Sequence, residues 1–229
     1  MSRDVQVRIR ERLGVRLPRA TRLVLGFEHE AEARSFLEEL RRRFAEFSLS
    51  LHPDKTRLIE FGRQAAVNRE KRGCSKPETF TFLGFTLVCG KSRKGHFLIR
   101  RKTRADRMRA TLNKIKEELR RRRHEPIPEQ GKWLGLVVRG YFAYHGVPTN
   151  RPALRSFRTR VTEHWRRTLS KRSQRGHVTW ERMTQIAKDW LPQPRILHPW
   201  PNQRFDVKHP RWEPSARIGP ARICAGGAS

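Results

Sequence analysis

The chain has 229 residues, enough for one large domain or two small ones, and carries 52 Lys/Arg against 22 Asp/Glu, a net charge of +30. Self-repulsion on that scale costs stability, so the excess points to a polyanionic partner; a membrane is not that partner by insertion, because no apolar run approaches the roughly 18 residues of a spanning helix. Cys74, Cys89 and Cys224 form no CxxC pair and the nine histidines no HExxH, which argues against a disulfide framework or a zinc site; with no signal peptide at the Arg-rich start, the expected setting is cytoplasmic.

Residues 1–23 are rich in Arg and poor in apolar periodicity, with Pro18 interrupting them. Val24 to Phe27 reads as the end of a strand. Glu28 to Phe47 predicts an amphipathic helix: Phe36, Leu40, Phe44 and Phe47 form its stripe, and Glu28, Glu30 and Glu32 sit where the helix dipole favours anions. Leu49 and Leu51 alternate with polar residues as in a strand, Pro53-Asp54 turns, and Arg57 to Phe61 resumes as a strand. Gly62 to Pro77 is polar and basic and reads as a flexible loop. Phe80 to Cys89 predicts one strand, Gly90 to Gly95 a hairpin connection, and His96 to Arg100 the partner strand.

Lys91 to Arg175 holds 26 Lys/Arg against 6 Asp/Glu. Three amphipathic helices are expected there, at 103–123, 131–146 and 151–171. Their stripes are Met108, Leu112, Ile115 and Leu119, then Trp133, Leu136, Val137, Gly140, Tyr141 and Tyr144, then Leu154, Phe157, Val161 and Trp165. His124 to Gln130, with two prolines, separates the first pair. The stripes can form a small bundle whose remaining faces make a positive field on a rigid scaffold, as a phosphate backbone requires. Tyr141, Tyr144, Trp165 and Trp180 read as core. Trp180, Met183, Ile186, Ala187 and Trp190 predict a fourth helix started by Thr179. From Leu191 onward proline is frequent, regular structure is not expected, and Trp200, Phe205 and Trp212 suggest a tail that docks.

Several of these stretches together resemble the reverse transcriptase/maturases encoded by bacterial group II introns. Val24-Leu-Gly-Phe27 with its acidic-start helix looks like the palm just after the family's Tyr-Ala-Asp-Asp, and Leu49 to Thr56 like the next block. Phe80-Thr-Phe-Leu-Gly-Phe85 looks like the block that grips the primer end. Arg139-Gly-Tyr-Phe-Ala-Tyr144 looks like the thumb or maturase helix, and Ser215 to Gly227 like a C-terminal signature. The match runs from about Val24 to the end. It departs where the family has its aspartate pair. Here stand Arg19-Ala20-Thr21-Arg22, and no two of the five aspartates are close in sequence, whereas two-metal polymerisation needs paired carboxylates.

The resemblance implies an α+β, mostly helical chain: an atypical segment at 1–23, a partial palm sheet at 24–100, a basic thumb-like helical bundle at 101–190 and an irregular Pro-rich tail at 191–229. The expected function is binding of structured RNA, a group II intron, so as to assist its folding and splicing, with DNA at a target site as a further partner. No catalytic or metal-ligating residue is assigned. Mg²⁺ would enter only through bound RNA or a polymerase site completed by another chain supplying fingers and palm. The alternatives are such a completed reverse transcriptase, or a non-functional remnant of a mobile element. The resemblance marks Lys55 as a residual phosphate contact or simply a turn residue, Gly84 as at once a point of close backbone approach and a β-bulge, and Arg139. Arginine's planar fork suits phosphate, which adds Arg100, Arg101, Lys102 and Arg104, then Arg120, Arg121, Arg122 and Arg123, and the cluster Arg166, Arg167, Lys171, Arg172 and Arg175.

Overall fold

The computed structural model describes residues 5–10, 22–53, 56–74, 76–173, 176–201 and 203. It is an α+β structure in which, among those residues, six helices accompany two three-stranded antiparallel sheets. The first sheet has the order β2-β1-β3, from β1 (Val5–Arg10), β2 (Arg22–Phe27) and β3 (Arg57–Glu60). Its central strand thus comes from the segment whose sequence is least periodic overall. The alternation of Val5, Val7 and Ile9 within Val-Gln-Val-Arg-Ile-Arg is the strand signal there. β1 pairs Val7 with Leu25 on one side and with Leu58 on the other.

Helix α1 (Glu30–Glu46) packs on this sheet through buried Ala33 and Leu37, flanked by Phe36 and Leu40. Phe47, expected in the stripe, is 66% exposed, because the helix ends at Glu46 and the chain turns away through Ser48 at φ 54. Leu49 to His52 forms no strand. The expected loop at 62–77 contains helix α2 (Arg63–Lys71). Gln64, Ala65, Ala66, Arg69, Glu70 and Lys71 are good helix formers, and Gly62 at φ 125 lets the chain turn sharply into it. Arg72 ties its end to Glu60 of β3 at 2.7 Å.

The stretch expected as one strand is a hairpin. β4 (Phe80–Phe82) and β5 (Phe85–Lys91) are joined by the two-residue turn Leu83-Gly84, with φ 44 and 79. Positive φ at both positions is the type I′ geometry whose twist suits a tight hairpin. β5 then pairs with β6 (Phe97–Thr103), Lys91 opposite Phe97. Ile59, Phe61 and Phe80 form a small core against Leu87, Cys89 and Ile99, so strand β3 of the first sheet packs against the second.

The bundle comprises α3 (Ala105–Arg121), α4 (Ile127–His145), α5 (Arg151–Ser170) and α6 (Trp180–Trp190). α4 begins before the expected boundary, with Pro128 in its first turn, where a missing N–H costs nothing. Its buried face is Leu134, Val138, Tyr141 and Phe142, while Leu136 and Tyr144 are exposed. The few charged residues of α4, Glu129, Lys132 and Arg139, are all exposed, so periodicity sets its inner face only broadly. Gly131 and Gly135 choose it, since Trp190 of α6 lies against both. Thr179 caps α6, its hydroxyl accepting from the Arg182 N–H at 3.3 Å. Residues 191–197 carry no helix or strand, and the tail runs back along α4: the Leu197 N–H donates to the Gly146 carbonyl at 2.8 Å. Among the described residues no helix is long and apolar enough to cross a membrane.

Candidate nucleic-acid interface

The core of the bundle decides which cations are free. Leu112, Ile115, Leu119, Leu154, Phe157, Val161 and Trp165 bury the facing sides of α3 and α5, each side chain contributing about 1.5–3 kcal/mol of transfer free energy. Gln130 is fully buried at the centre. Its carbonyl accepts from Trp165 Nε1 at 2.7 Å and its amide donates to the Arg122 carbonyl, so both ends of the amide are satisfied. With these stripes turned inward, the basic residues between them are forced outward.

Two basic surfaces result. On one flank of α3, Arg107, Thr111 and Lys114 line a cleft of about 530 Å³, closed by the Leu83-Gly84 turn and by Tyr144 of α4. Tyr144 donates its hydroxyl to the Leu83 carbonyl at 2.8 Å and stacks on Phe85 at 5.9 Å. This holds the hairpin tip beside the helix. A Cβ on Gly84 would stand 3.7 Å from the Tyr144 ring, so the glycine serves the turn and a close packing contact. On the opposite flank, α3 packs against α5. There Lys116 of α3 and Arg160 and Arg167 of α5 surround His164. Burial chiefly lowers the pKa of His164, the three cations lower it further, and Glu163 alone opposes them. Arg109, Arg120 and Arg155 are exposed on the same two helices, and Lys171 just past the end of α5.

Not every residue that the sequence marks for phosphate is available for it. Arg122 bonds Glu118 at 2.8 Å and Glu125 at 3.2 Å and lies over the Trp133 ring, so it holds the α3–α4 turn. Arg172 donates to the Glu125 carbonyl at 2.5 Å across the same turn. Arg166 donates to the Val178 carbonyl at 3.2 Å and stacks on Trp180, 4.4 Å from the ring centroid. The terminal cluster therefore does have a packing role, because backbone carbonyls and a tryptophan distant in sequence come within its reach. Trp180 is not core: it is 49% exposed beneath Arg166. Arg167 pairs with Glu163, Arg104 with Asp106 at 2.5 Å, and Arg121 with Glu118 at 3.5 Å.

Arg100 donates to the Lys91 carbonyl at 2.8 Å across the β5–β6 hairpin. Arg101 is half-buried, with its pKa lowered by burial. Lys102, Arg120, Arg139 and Lys171 are exposed, and Arg123 is half-buried beside Arg120 and His124. Lys55 and Arg175 lie outside the described residues. Sequence reasoning missed Arg107, Lys114, Lys116 and Arg160. The signal was present: these positions fall between the apolar stripe residues of α3 and α5, and Arg107, Lys116 and Arg160 have no acidic residue four positions away, while Glu118, four after Lys114, pairs with Arg121 and Arg122.

The bundle is fastened to the second sheet by a buried polar cluster. The Asn150 side chain accepts from the Thr103 N–H at 3.0 Å and donates to Thr103 Oγ1 and the His145 carbonyl, each at 2.8 Å. Thr149, at φ 75, accepts from the Arg101 N–H at 2.8 Å. Burial lowers the His145 pKa to about 4 and raises that of Tyr141 to about 12, so both are neutral near pH 7. Among the described residues no group of His, Cys, Asp or Glu is placed to hold a metal ion. No family model, curated protein or solved structure matches the chain.

Proposed function

We propose that this chain binds structured RNA through the basic flanks of α3 and α5, in the manner of a maturase that assists a group II intron to fold. The observation that carries the reading is the arrangement of Lys116, Arg160 and Arg167, the last paired with Glu163, around His164, with Arg109 and Arg120 exposed on the same helix as Lys116. Like charges are gathered there on two packed helices, with Glu163 the one acid that acts on His164. Such clustering costs self-repulsion when the protein is free, a cost that phosphates offset by releasing counterions on contact. A rigid two-helix surface suits RNA, whose A-form duplex is read through its backbone and shape. Maturase action needs no bond chemistry: binding the folded intron better than the unfolded one shifts its equilibrium. In this reading the chain does not polymerise DNA by itself.

The test is a salt titration of affinity for a folded group II intron. The variant Lys116→Gln/Arg160→Gln is expected to lower the slope of log affinity against log salt by about two units, roughly one per lost contact. Gln retains helical propensity, so circular dichroism should not change. An unaltered slope removes these residues from the interface. Equal affinity for unrelated RNA of the same length reduces the reading to general polyanion binding. Primer extension by the purified chain with Mg²⁺, surviving controls for contaminating polymerase, would overturn the non-enzymatic part.

A further inference from the structure

A second cleft, of about 420 Å³, opens between the β4–β5 hairpin and the tail. That volume falls in the roughly 300–1,000 Å³ range of clefts that hold a small ligand. Flat apolar rings make much of its wall: Phe82 and Phe85 of the hairpin, Tyr144 of α4, and Pro148, Pro199 and Pro201. The tail side is tethered, since the His198 N–H donates to the Gly146 carbonyl at 3.1 Å and His198 Nε2 lies 2.6 Å from the Ala143 carbonyl. The hairpin side is held by the stacking of Phe85 on Tyr144. Arg101 of β6 puts a half-buried guanidinium into this apolar wall. Among the described residues no acid or carbonyl engages it, and burial lowers its pKa. A half-buried charge without a counter-ion is costly, and an anion seated beside it offsets that cost.

We infer that the cleft takes a single unpaired nucleotide of the bound RNA, its base between the hairpin and the proline-rich tail and its phosphate on Arg101. The inference rests on the RNA-binding reading above and adds to it a second site of different chemistry. Three features favour this occupant. Unpaired RNA bases are held by stacking on rings, and every base has a flat face for a ring-lined slot. A phosphodiester brings one negative charge to match one guanidinium, whose planar fork contacts two of its oxygens. Leu83 and Tyr144 line both this cleft and the one bordered by Arg107 and Lys114, so a strand lying along α3 reaches the slot by crossing the hairpin tip. An acidic aromatic peptide is the weaker occupant: it satisfies the slot alone, whereas a polynucleotide also brings further phosphates to Arg107 and Lys114.

A single-stranded RNA hexamer carrying one 2-aminopurine tests this on the full-length chain, because that base loses fluorescence when it stacks. Quenching on binding is the expected result. Arg101→Gln should weaken binding about tenfold, the loss of one charged hydrogen bond. Ala143→Phe, which fills the cleft from an exposed position on α4, should abolish the quenching. The Arg101 guanidinium has no partner among the described residues and Ala143 is exposed, so thermal melts of both variants should match the unaltered protein. No quenching by the unaltered protein overturns the proposal, as does unchanged affinity in Arg101→Gln or quenching that survives in folded Ala143→Phe. A Phe-Asp peptide that binds the cleft while the hexamer does not would assign it to a protein partner, and a DNA hexamer that quenches while the RNA does not would remove RNA as the occupant. The hexamer is too short to report on recognition of a folded intron, so failure of the slot and failure of the α3–α5 flank are read in separate experiments.

Discussion

Arg172 and Lys171 are neighbours with opposite duties. The Arg172 guanidinium crosses to the Glu125 carbonyl, 47 residues away, while Lys171 is exposed at the C-terminal end of α5. A hydrogen bond from a charged group contributes about 1.5–3 kcal/mol, so Arg172→Gln should lower unfolding free energy by about 1–2 kcal/mol in a denaturant titration. Lys171→Gln should leave stability within about 0.5 kcal/mol and act, if at all, on the salt dependence of RNA binding. His145 supplies a pH signature. Its pKa is about 4 when folded against 6.5 for the free side chain. The unfolded chain therefore binds the proton first as pH falls. The stability that His145 contributes is complete above pH 6.5 and lost between there and about pH 4. His164 shifts in the same direction, so His145→Gln should shrink the fall in unfolding free energy over that window without abolishing it.

At the scale of elements, the contact of α4 with α6 rests on two glycines. A Cβ on Gly135 would stand 2.9 Å from the Trp190 backbone carbonyl, which cannot rotate away. Gly140, on the same helix, would have nothing within 4 Å of its Cβ. Alanine is about 1 kcal/mol better than glycine inside a helix. Gly140→Ala should therefore stabilise the protein by about 0.5–1 kcal/mol. Gly135→Ala should destabilise it by about 1–3 kcal/mol, since overpacking outweighs propensity. Thermal melts of the two variants should move in opposite directions. The Leu83-Gly84 turn offers a similar contrast. Leu83 sits at φ 44 with its side chain 57% exposed, so Leu83→Asn, a residue at ease in that conformation, should raise the melting temperature by a few degrees.

Across the whole molecule, stability is unevenly distributed. Among the described residues, the bundle core joins fifteen buried residues, from Leu112 to Leu191, whereas the cluster under α1 has two and the one between the sheets three. Exchange protection follows buried apolar contact, so amides of the β2-β1-β3 sheet and α1 should exchange well before those of α3, α4 and α5. Equal protection in both would mean that the first sheet is covered by something further, such as a partner chain. The same imbalance suits the proposed function: the basic flanks belong to the best-packed part of the chain, where phosphate contacts lose least to disorder.

Periodicity made the helices legible. Leu112, Ile115 and Leu119, or Leu154, Phe157, Val161 and Trp165, declare a buried face through spacing alone, and Thr179 declares a helix start through one hydroxyl. These signals act over a few residues, so the sequence by itself determined α1, α3, α5, α6 and the β5–β6 hairpin, together with the basic excess. α2 was hidden because a polar, basic stretch looks like a loop until its helix propensity is weighed. β1 was hidden because three alternating apolar residues among arginines are a short signal. Which cations face solvent was beyond local reading. Arg166 and Arg172 were claimed by carbonyls across the bundle and Tyr144 by the Leu83 carbonyl 61 residues away, while Lys116 and Arg160 were left on a common flank. Only the tertiary structure decided this, because a guanidinium's partner is set by the chain that packing brings beside it, and the inner face of α4 by the Trp190 that meets its glycines.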